Sequence, residues 1–302
     1  MMEQNNNKFS WSRFWTLLKR HFADGRKNNQ IMLLAVFVLS MILLLVFTMM
    51  PQLMPEDIDN PLMKNFNKDM LAAIMASSNT GTVVSIFSYV FLSLVCSNMS
   101  NRSGDIAYLM LPATNLEKWL SRVIYVVVVG LVLIYGVYYV AVFLCTGIGH
   151  LFNVASLKLL GSMSFDISST NMLLGMDISP TTINILLLLG YCMSFFMIAM
   201  FIWGGTYFRR LGWLYTALIL MAIGFVSVFV LGFSFAFLNL DEMVAVARST
   251  GEEGPSAMLS IFDGLFFWSS IVLIVLGMLV IWLSYKVFCR RQIESHRIRV
   301  IK

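Results

Sequence analysis

The chain has 302 residues, of which 59% are hydrophobic and 12% are charged. Because an average soluble domain carries about 25% charged residues, this composition excludes an ordinary soluble domain and is typical of a membrane protein. The formal net charge of +5 reflects cations that gather on one side of the predicted spans, so it gives no argument for nucleic-acid binding.

Six apolar stretches each reach the roughly 20 residues that a helix needs to cross a hydrocarbon core about 30 Å thick. They predict an all-α membrane protein in which residues 1–302 form one domain: a segment 1–30, a six-span bundle 31–285 and a basic tail 286–302. The second stretch is the weakest, because residues 78–81 are small or polar and dilute its outer end. The predicted spans are about Ile31–Met50, Ser78–Asn98, Val123–Thr146, Ile183–Trp203, Leu214–Leu238 and Leu265–Tyr285.

The segment before the first span, KFSWSRFWTLLKRHFADGRKN (residues 8–28), predicts an amphipathic helix. Ser10 or Ser12 can cap its start, and Gly25 can end it. Because the cations lie away from the apolar stripe, we expect this helix to lie in the membrane interface, to pack on the protein's own spans, or both. Five bulky apolar residues fall at i, i+3, i+4, i+7 and i+11, which is one face of a helix: Trp11, Phe14, Trp15, Leu18 and Phe22.

The distribution of Lys and Arg predicts the orientation of the spans. Seventeen of the 21 cations fall in the N-terminal segment, the second and fourth loops and the C-terminal tail. The other four are Lys64, Lys68, Lys158 and Arg248. Both termini are therefore predicted to be cytoplasmic, with the chain in the inner (cytoplasmic) cell membrane. Five tryptophans near span ends fit an aromatic belt at the interfaces: Trp119, Trp203, Trp213, Trp268 and Trp282.

Polar residues return between the second and third spans, in NRSGDIAYLMLPATNLEKWLSR (residues 101–122). Ser103 can cap a short helix, with Asp105 in its first turn, where the helix dipole favours an acid. Pro112 disfavours a helical conformation at Leu111, so this helix is expected to be short.

A second helix is predicted to start at Thr114, because Glu117 follows it at the spacing of a capping box. This start lies eight residues before the apolar run at Val123, so we expect the third span to begin in the cytoplasm. The short first helix carries more apolar surface, from Ile106 to Leu111, than a solvated loop would expose. Either the ends of neighbouring spans or a groove on a partner protein must cover it.

Together with the six spans and cytoplasmic termini, SRFWTLLKRHF (residues 12–22) and LMLPATNLEKWLSR (residues 109–122) resemble the permease subunits of type-2 ABC exporters of the kind common in Bacteroidetes. The resemblance implies that the loop after the second span forms a cytoplasmic coupling helix that docks on a separate ATPase subunit. It also implies a dimer with a second permease copy or homologue, and short outer helices in the fifth loop, within DEMVAVAR and AMLSIFDGLFFW. The residues assigned to the ATPase-coupling surface are Arg102, Asp105, Ile106, Tyr108, Met110 and Glu117.

Several kinds of chemistry have no motif in the chain. There is no G-x-x-x-x-G-K-[ST] phosphate-binding loop, no H-E-x-x-H and no G-x-S-x-G, so we predict a non-catalytic subunit without a cofactor or metal. The four cysteines are far apart and read as apolar packers. The spans contain no ionisable Asp, Glu, Lys, Arg or His, which argues against proton-coupled transport.

Two other functions stay open beside an exporter subunit. The chain can be a membrane anchor or assembly protein for a cytoplasmic partner, or an ion-coupled carrier that binds sodium through hydroxyl and backbone oxygens. A neighbouring gene for a Walker-A ATPase would favour the exporter. The polar groups left in the membrane are hydroxyls that packing explains in most cases: Ser85, Ser88, Tyr89, Ser93, Tyr125, Tyr135, Tyr138 and Tyr139.

Overall fold

The computed structural model describes residues 9–50, 68–95, 113–165, 180–208, 211–237 and 255–300. Within these ranges all regular structure is helical and no strand occurs, as the composition predicted. The helices are α1 (Trp11–Met49), α2 (Lys68–Leu92), α3 (Asn115–Val127), α4 (Ile134–Phe152), α5 (Ala155–Phe165), α6 (Pro180–Tyr207), α7 (Gly212–Phe237) and α8 (Pro255–Val300), with a π-helical segment over Val128–Leu133 between α3 and α4.

Five helical stretches among the described residues are long and apolar enough to cross a membrane, so the chain is built as a membrane protein. Helix α7 coincides with the fifth predicted span, and its part over Gly212–Val226 is a shorter apolar helix. The count of six spans therefore stays a prediction. The five stretches are Trp11–Met49, Lys68–Val95, Asn115–Phe152, Thr181–Tyr207 and Phe266–Arg290.

The amphipathic segment and the first span form one helix. Helix α1 has 39 residues, which is about 58 Å at the helical rise of 1.5 Å per residue. It starts after Ser10, whose extended backbone (φ −128°, ψ 119°) occupies the N-cap position, and the Phe14 N–H donates to the Ser10 carbonyl at 3.0 Å. The prediction that Gly25 ends a separate helix is wrong, because α1 continues through it.

Helix α2 begins ten residues earlier than predicted, at Lys68. Residues 78–81 therefore lie inside the helix and not at its outer end. Their polar groups are satisfied one turn back: Asn79 Nδ2 donates to the Met75 carbonyl at 2.8 Å, and Ser78 Oγ donates to the same carbonyl at 3.4 Å. A polar side chain bonded to its own helix needs no water, so such residues can stand in an apolar environment.

The third predicted span is a continuous helical stretch of 38 residues, Asn115–Phe152. Helix α4 ends at Asn153, which has left-handed backbone angles (φ 58°, ψ 33°). Asn tolerates this conformation better than most residues, so it suits a helix end. The chain then turns into α5, so the predicted third loop, 147–182, starts with helical residues; its residues 166–179 lie outside the described ranges.

The chain divides into two compact units. The first comprises Ser10–Phe91 and Leu120–Thr170. In it, α1 packs along α4, and α5 packs back on α4. The buried residues in the second half of α1 recur at every fourth position, which places them in one row on one face: Val36, Ser40, Leu44 and Thr48. Beside Met41 of α1, the thiol of Cys145 lies 3.5 Å from the thioether sulfur, so this cysteine is an apolar packer as predicted.

The second unit comprises Met1–Phe9, Leu92–Trp119 and Asn171–Lys302. Here α6 packs along α8 and against α7. Thr182 near the start of α6 donates to Asp263 Oδ2 of α8 at 2.8 Å. Helix α8 runs unbroken from Pro255 to Val300, so residues 257–268 are part of a long helix and not a separate short one. The other expected outer helix, residues 241–248, lies outside the described residues.

The five tryptophans of the predicted belt differ in exposure, and Trp203 is half-buried. Trp213, Trp268 and Trp282 are exposed, as residues of an aromatic belt are. The Lys286 ammonium lies over the Trp282 ring, 3.6 Å from its centroid. Trp119, in contrast, is only 8% exposed. The belt interpretation is therefore wrong for Trp119, which belongs to the core of the second unit.

Candidate functional site

The polar segment between the second and third predicted spans leads into a capping box, as the sequence predicted. The Thr114 N–H donates to Glu117 Oε2 at 2.8 Å, and the Glu117 N–H donates to Thr114 Oγ1 at 3.3 Å. Each side chain satisfies a backbone donor that the first turn of a helix leaves open. Helix α3 therefore has a defined start at Asn115.

One side of the first turn of α3 is packed in the protein, whereas Asn115 and Leu116 are exposed. Glu117 is fully buried and Lys118 is 4% exposed. Burial lowers the pKa of Lys118, and the neighbouring Glu117 carboxylate opposes that shift.

Glu117 is the one residue of the predicted coupling surface that the structure describes, and its carboxylate is engaged by the Thr114 backbone. The coupling surface stays a prediction, because its other residues lie outside the described ranges: Arg102, Asp105, Ile106, Tyr108 and Met110.

The apolar stripe predicted on the N-terminal segment is divided between two environments. Phe14 and Leu18 are buried in the protein, at 2% and 7% exposure. Trp11 and Trp15 are 71% and 55% exposed. Phe14 and Leu18 therefore fit packing on the protein's own helices, and the two exposed tryptophans fit a position in the membrane interface. Phe22 is half-buried, and its ring meets that of Tyr125 edge to face, with centroids 5.1 Å apart.

Tyr125 of α3 is the centre of the contact with α1. Its hydroxyl donates to Asn29 Oδ1 at 3.1 Å and accepts from Asn29 Nδ2 at 3.0 Å. The His21 ring lies against the same tyrosine, with centroids 5.9 Å apart. No sequence pattern predicted this contact, because the two residues are 96 positions apart and the burial of Asn29 is evident only in the structure.

Gly25 is required by this contact. A Cβ atom at position 25 would overlap the Tyr125 hydroxyl and lie 3.1 Å from its ring carbon Cζ. Since the residue lies inside a continuous helix, its function is close approach and not helix termination.

His21 lies in α1 before the apolar run that begins at Ile31. Burial, together with the nearby Arg122 cation, lowers the pKa of His21 to about 4, and the Asp24 carboxylate opposes the shift. The imidazole is therefore neutral at pH 7, which suits a ring packed against Tyr125. A neutral ring in this place adds no third positive charge beside Arg122 and Arg20.

Hydrogen bonds of hydroxyl groups connect α2 to the third predicted span at three positions along the helices. Ser85 Oγ donates to the Gly81 carbonyl at 2.7 Å, so the Tyr135 hydroxyl, 2.8 Å away, is the donor to Ser85. The Tyr138 hydroxyl donates to the Ser77 carbonyl at 3.3 Å. These pairs explain several of the hydroxyls that the sequence leaves in the membrane as packing contacts.

The third hydroxyl contact falls on the π-helical segment. Ser88 Oγ donates to the Gly130 carbonyl at 2.5 Å, inside Val128–Leu133. A π-helical turn has one more residue than an α-helical turn, and such turns are frequent at functional sites. The serine gives the Gly130 carbonyl a partner from another helix. No sequence pattern signalled this turn.

The described residues contain a set of interhelical polar contacts. Within the described ranges, no three His, Cys, Asp or Glu side chains come together as a metal site requires. The hydroxyl contacts hold neighbouring helices in register.

No protein-family model matches the chain, and no match was found among the curated proteins or the solved structures.

Proposed function

We propose that this chain is the membrane-spanning subunit of a type-2 ABC exporter, with six spans and both termini in the cytoplasm. It forms the translocation path for a substrate, pairs with a second permease copy or homologue, and couples to a separate ATPase subunit. The proposal rests on the resemblance of residues 12–22 and 109–122 and on the partition of 17 of 21 cations to one side.

The capping box is the structural observation that carries this proposal. Thr114 and Glu117 start α3 directly after the polar segment, and the helix then continues through the π-helical segment to Phe152 over 38 residues. A docking element needs a well-ordered connection to the span. A displacement of the segment before Thr114 then moves the start of α3 with it. A frayed helix start would absorb the displacement.

The proposed mechanism follows from this connection. ATP binding closes the ATPase dimer in the partner chains, and the polar segment moves with the ATPase surface on which it docks. The start of α3 moves with it, and the spans rearrange by alternating access. This chain supplies the docking surface and the moving helices, and nucleotide chemistry takes place in the partner.

The docking surface is tested with a charged substitution in its apolar part. Burial of a side chain such as Met110 contributes about 1.5–3 kcal/mol, whereas an exposed ion pair at Arg102 contributes roughly 0–1 kcal/mol. Met110→Asp and Tyr108→Ala are therefore expected to weaken co-purification of the partner ATPase by about tenfold or more, and Arg102→Ala by much less. Membrane abundance of each variant is the control. Full ATPase binding by Met110→Asp would exclude this surface as the docking site.

ATP hydrolysis by the isolated chain separates the exporter subunit from other arrangements. Because no phosphate-binding loop occurs in the sequence, the purified chain should show no specific hydrolysis, and activity should appear only with the partner ATPase. Hydrolysis by the chain alone, lost on substitution of one of its own residues, would contradict the proposal. Uptake driven by an ion gradient without ATP would favour the ion-coupled carrier.

A further inference from the structure

Ser93 and Trp119, which lie on either side of residues 96–112, contact α6 and α8, respectively. Leu92–Trp119 belongs to the second unit, together with α6 and α8. Ser93 lies in the last turn after α2, and Trp119 lies in the second turn of α3. Ser93 contacts the last turn of α6 at Gly205, and Trp119 is linked to Thr206 of the same turn through Ser284 of α8.

The first contact joins backbone to backbone. A Cβ atom at Gly205 would overlap the Ser93 carbonyl oxygen and lie 2.7 Å from the Ser93 carbonyl carbon. Any side chain at this position would therefore separate the two segments, since the obstructing atoms are main-chain atoms. The backbone at Ser93, directly after α2, thus lies against the α6 backbone.

The second contact is a chain of hydrogen bonds. Trp119 Nε1 donates to Ser284 Oγ of α8 at 3.4 Å, and Ser284 Oγ lies 3.1 Å from Thr206 Oγ1 of α6. Thr206 Oγ1 donates to the Trp203 carbonyl at 2.7 Å, so Ser284 is the donor to Thr206. Ser284 and Thr206 are both fully buried. Inside a protein, such a chain is held more strongly than it would be in water.

The Trp119 ring strengthens the same junction. It meets the ring of Tyr285 edge to face, with centroids 5.5 Å apart. Trp119 therefore contacts two successive residues of α8 at once, one through its N–H and one through its ring. The Ser284 hydroxyl connects the three helices, because it is hydrogen-bonded to Trp119 of α3 and to Thr206 of α6.

We propose that Ser284, Thr206 and Gly205 are positioning residues for coupling, which hold both flanks of residues 96–112 on α6 and α8. A displacement of Ser93 and Trp119 then moves the ends of α6 and α8 together. The coupling role of these residues rests on the proposed function, whereas the contacts themselves do not depend on an ATPase.

The junction is tested first on the isolated chain by amide hydrogen exchange of residues 115–127. Ser284→Ala and Thr206→Val should each raise exchange there by about fivefold, the effect of losing one hydrogen bond. Ser284→Thr, which keeps the hydroxyl, should restore exchange to the wild-type rate. Ser270→Ala is the matched control, because Ser270 lies in the same helix, is 1% exposed, and donates only to the Phe266 carbonyl of its own helix. Exchange in Ser284→Ala equal to that in Ser270→Ala would overturn the proposal.

The transmission is tested in the complex with the partner ATPase. In the wild-type protein, ATP with vanadate should change amide exchange in both α3 and α6. In Ser284→Ala the change should remain in α3 and be lost in α6, which a loss of stability alone would not produce. An unaltered response of α6 in Ser284→Ala would overturn the positioning role. If no ATPase co-purifies, the proposed function fails, and the experiment on the isolated chain still decides whether the junction exists.

Discussion

Tyr125 and Asn29 are 96 residues apart and hold each other by hydrogen bonds in both directions, at 3.1 and 3.0 Å. Tyr125 lies at the start of the third predicted span, and Asn29 lies just before the first. The contact fixes the N-terminal half of α1 against α3 within the first unit. The segment predicted to lie in the membrane interface is therefore also a packed part of the protein.

The close approach at this contact predicts that Gly25→Ala destabilises the protein. The added methyl group would overlap the Tyr125 hydroxyl, and overpacking of this kind costs about 1–3 kcal/mol. Gly136→Ala is the matched control, because it is also a helical glycine and has nothing within 4 Å of the Cβ position. Thermal unfolding in detergent should show a lower midpoint for Gly25→Ala and an equal or higher one for Gly136→Ala. Equal midpoints for the two variants would contradict the contact.

Gly25 also shows where sequence reasoning reaches its limit. As a local signal, glycine after an amphipathic stretch indicates a helix end, and the partner that explains it, Tyr125, is 100 positions away in the sequence. Trp119 was assigned to a belt for the same reason, since its acceptor Ser284 is 165 residues away. The capping box of Thr114 and Glu117 was predicted correctly because all of its atoms lie within four residues. Local patterns thus predicted the helices and the capped start of α3, whereas the start of α2 and the interhelical contacts needed the structure.

The capping box itself gives a prediction about the start of α3. Glu117→Ala removes the acceptor of the Thr114 N–H and should destabilise this helix start by about 1 kcal/mol. Glu117→Gln keeps an acceptor at the same place and should retain most of the protection. Amide exchange of residues 114–118 measures the difference, with peptides from α4 as the internal reference. If Glu117→Ala and Glu117→Gln exchange alike, the side-chain cap does not hold this turn.

His21 predicts a pH dependence of stability. Its pKa is lowered from 6.5 to about 4 in the folded protein, so between these values the unfolded chain binds a proton that the folded chain does not. Protonation of His21 therefore leaves the free energy of unfolding unchanged above about pH 6.5 and lowers it as the pH falls from 6.5 toward 4. After allowance for partial solvent exposure, we expect a loss of about 1–2 kcal/mol.

Unfolding of the wild type and of His21→Gln at pH 7 and pH 5 measures this contribution. The wild type should lose more stability on acidification than His21→Gln. His150→Gln is the control, because His150 is an exposed residue in the last turn of α4 and its substitution should leave the wild-type pH dependence in place. An identical response of His21→Gln and the wild type would show that another group is responsible.

The proposed orientation predicts which positions a membrane-impermeant thiol reagent can reach. In a variant without Cys96, Cys145, Cys192 and Cys289, single cysteines are placed at Lys158, which lies between the third and fourth spans, and at Lys27 and Lys286. The partition of 17 cations to one side and four to the other places Lys158 outside the cell and the other two inside, since positive charge stays in the cytoplasm.

Lys27 and Lys286 are exposed on their helices, so cysteines at both positions should label after the membrane is permeabilised. Such labelling excludes burial as the reason for their protection in intact cells. Lys158→Cys should label in intact cells. Labelling of Lys27→Cys or Lys286→Cys in intact cells would reverse the orientation, place the segment of residues 101–122 outside, and remove the basis for docking an ATPase there.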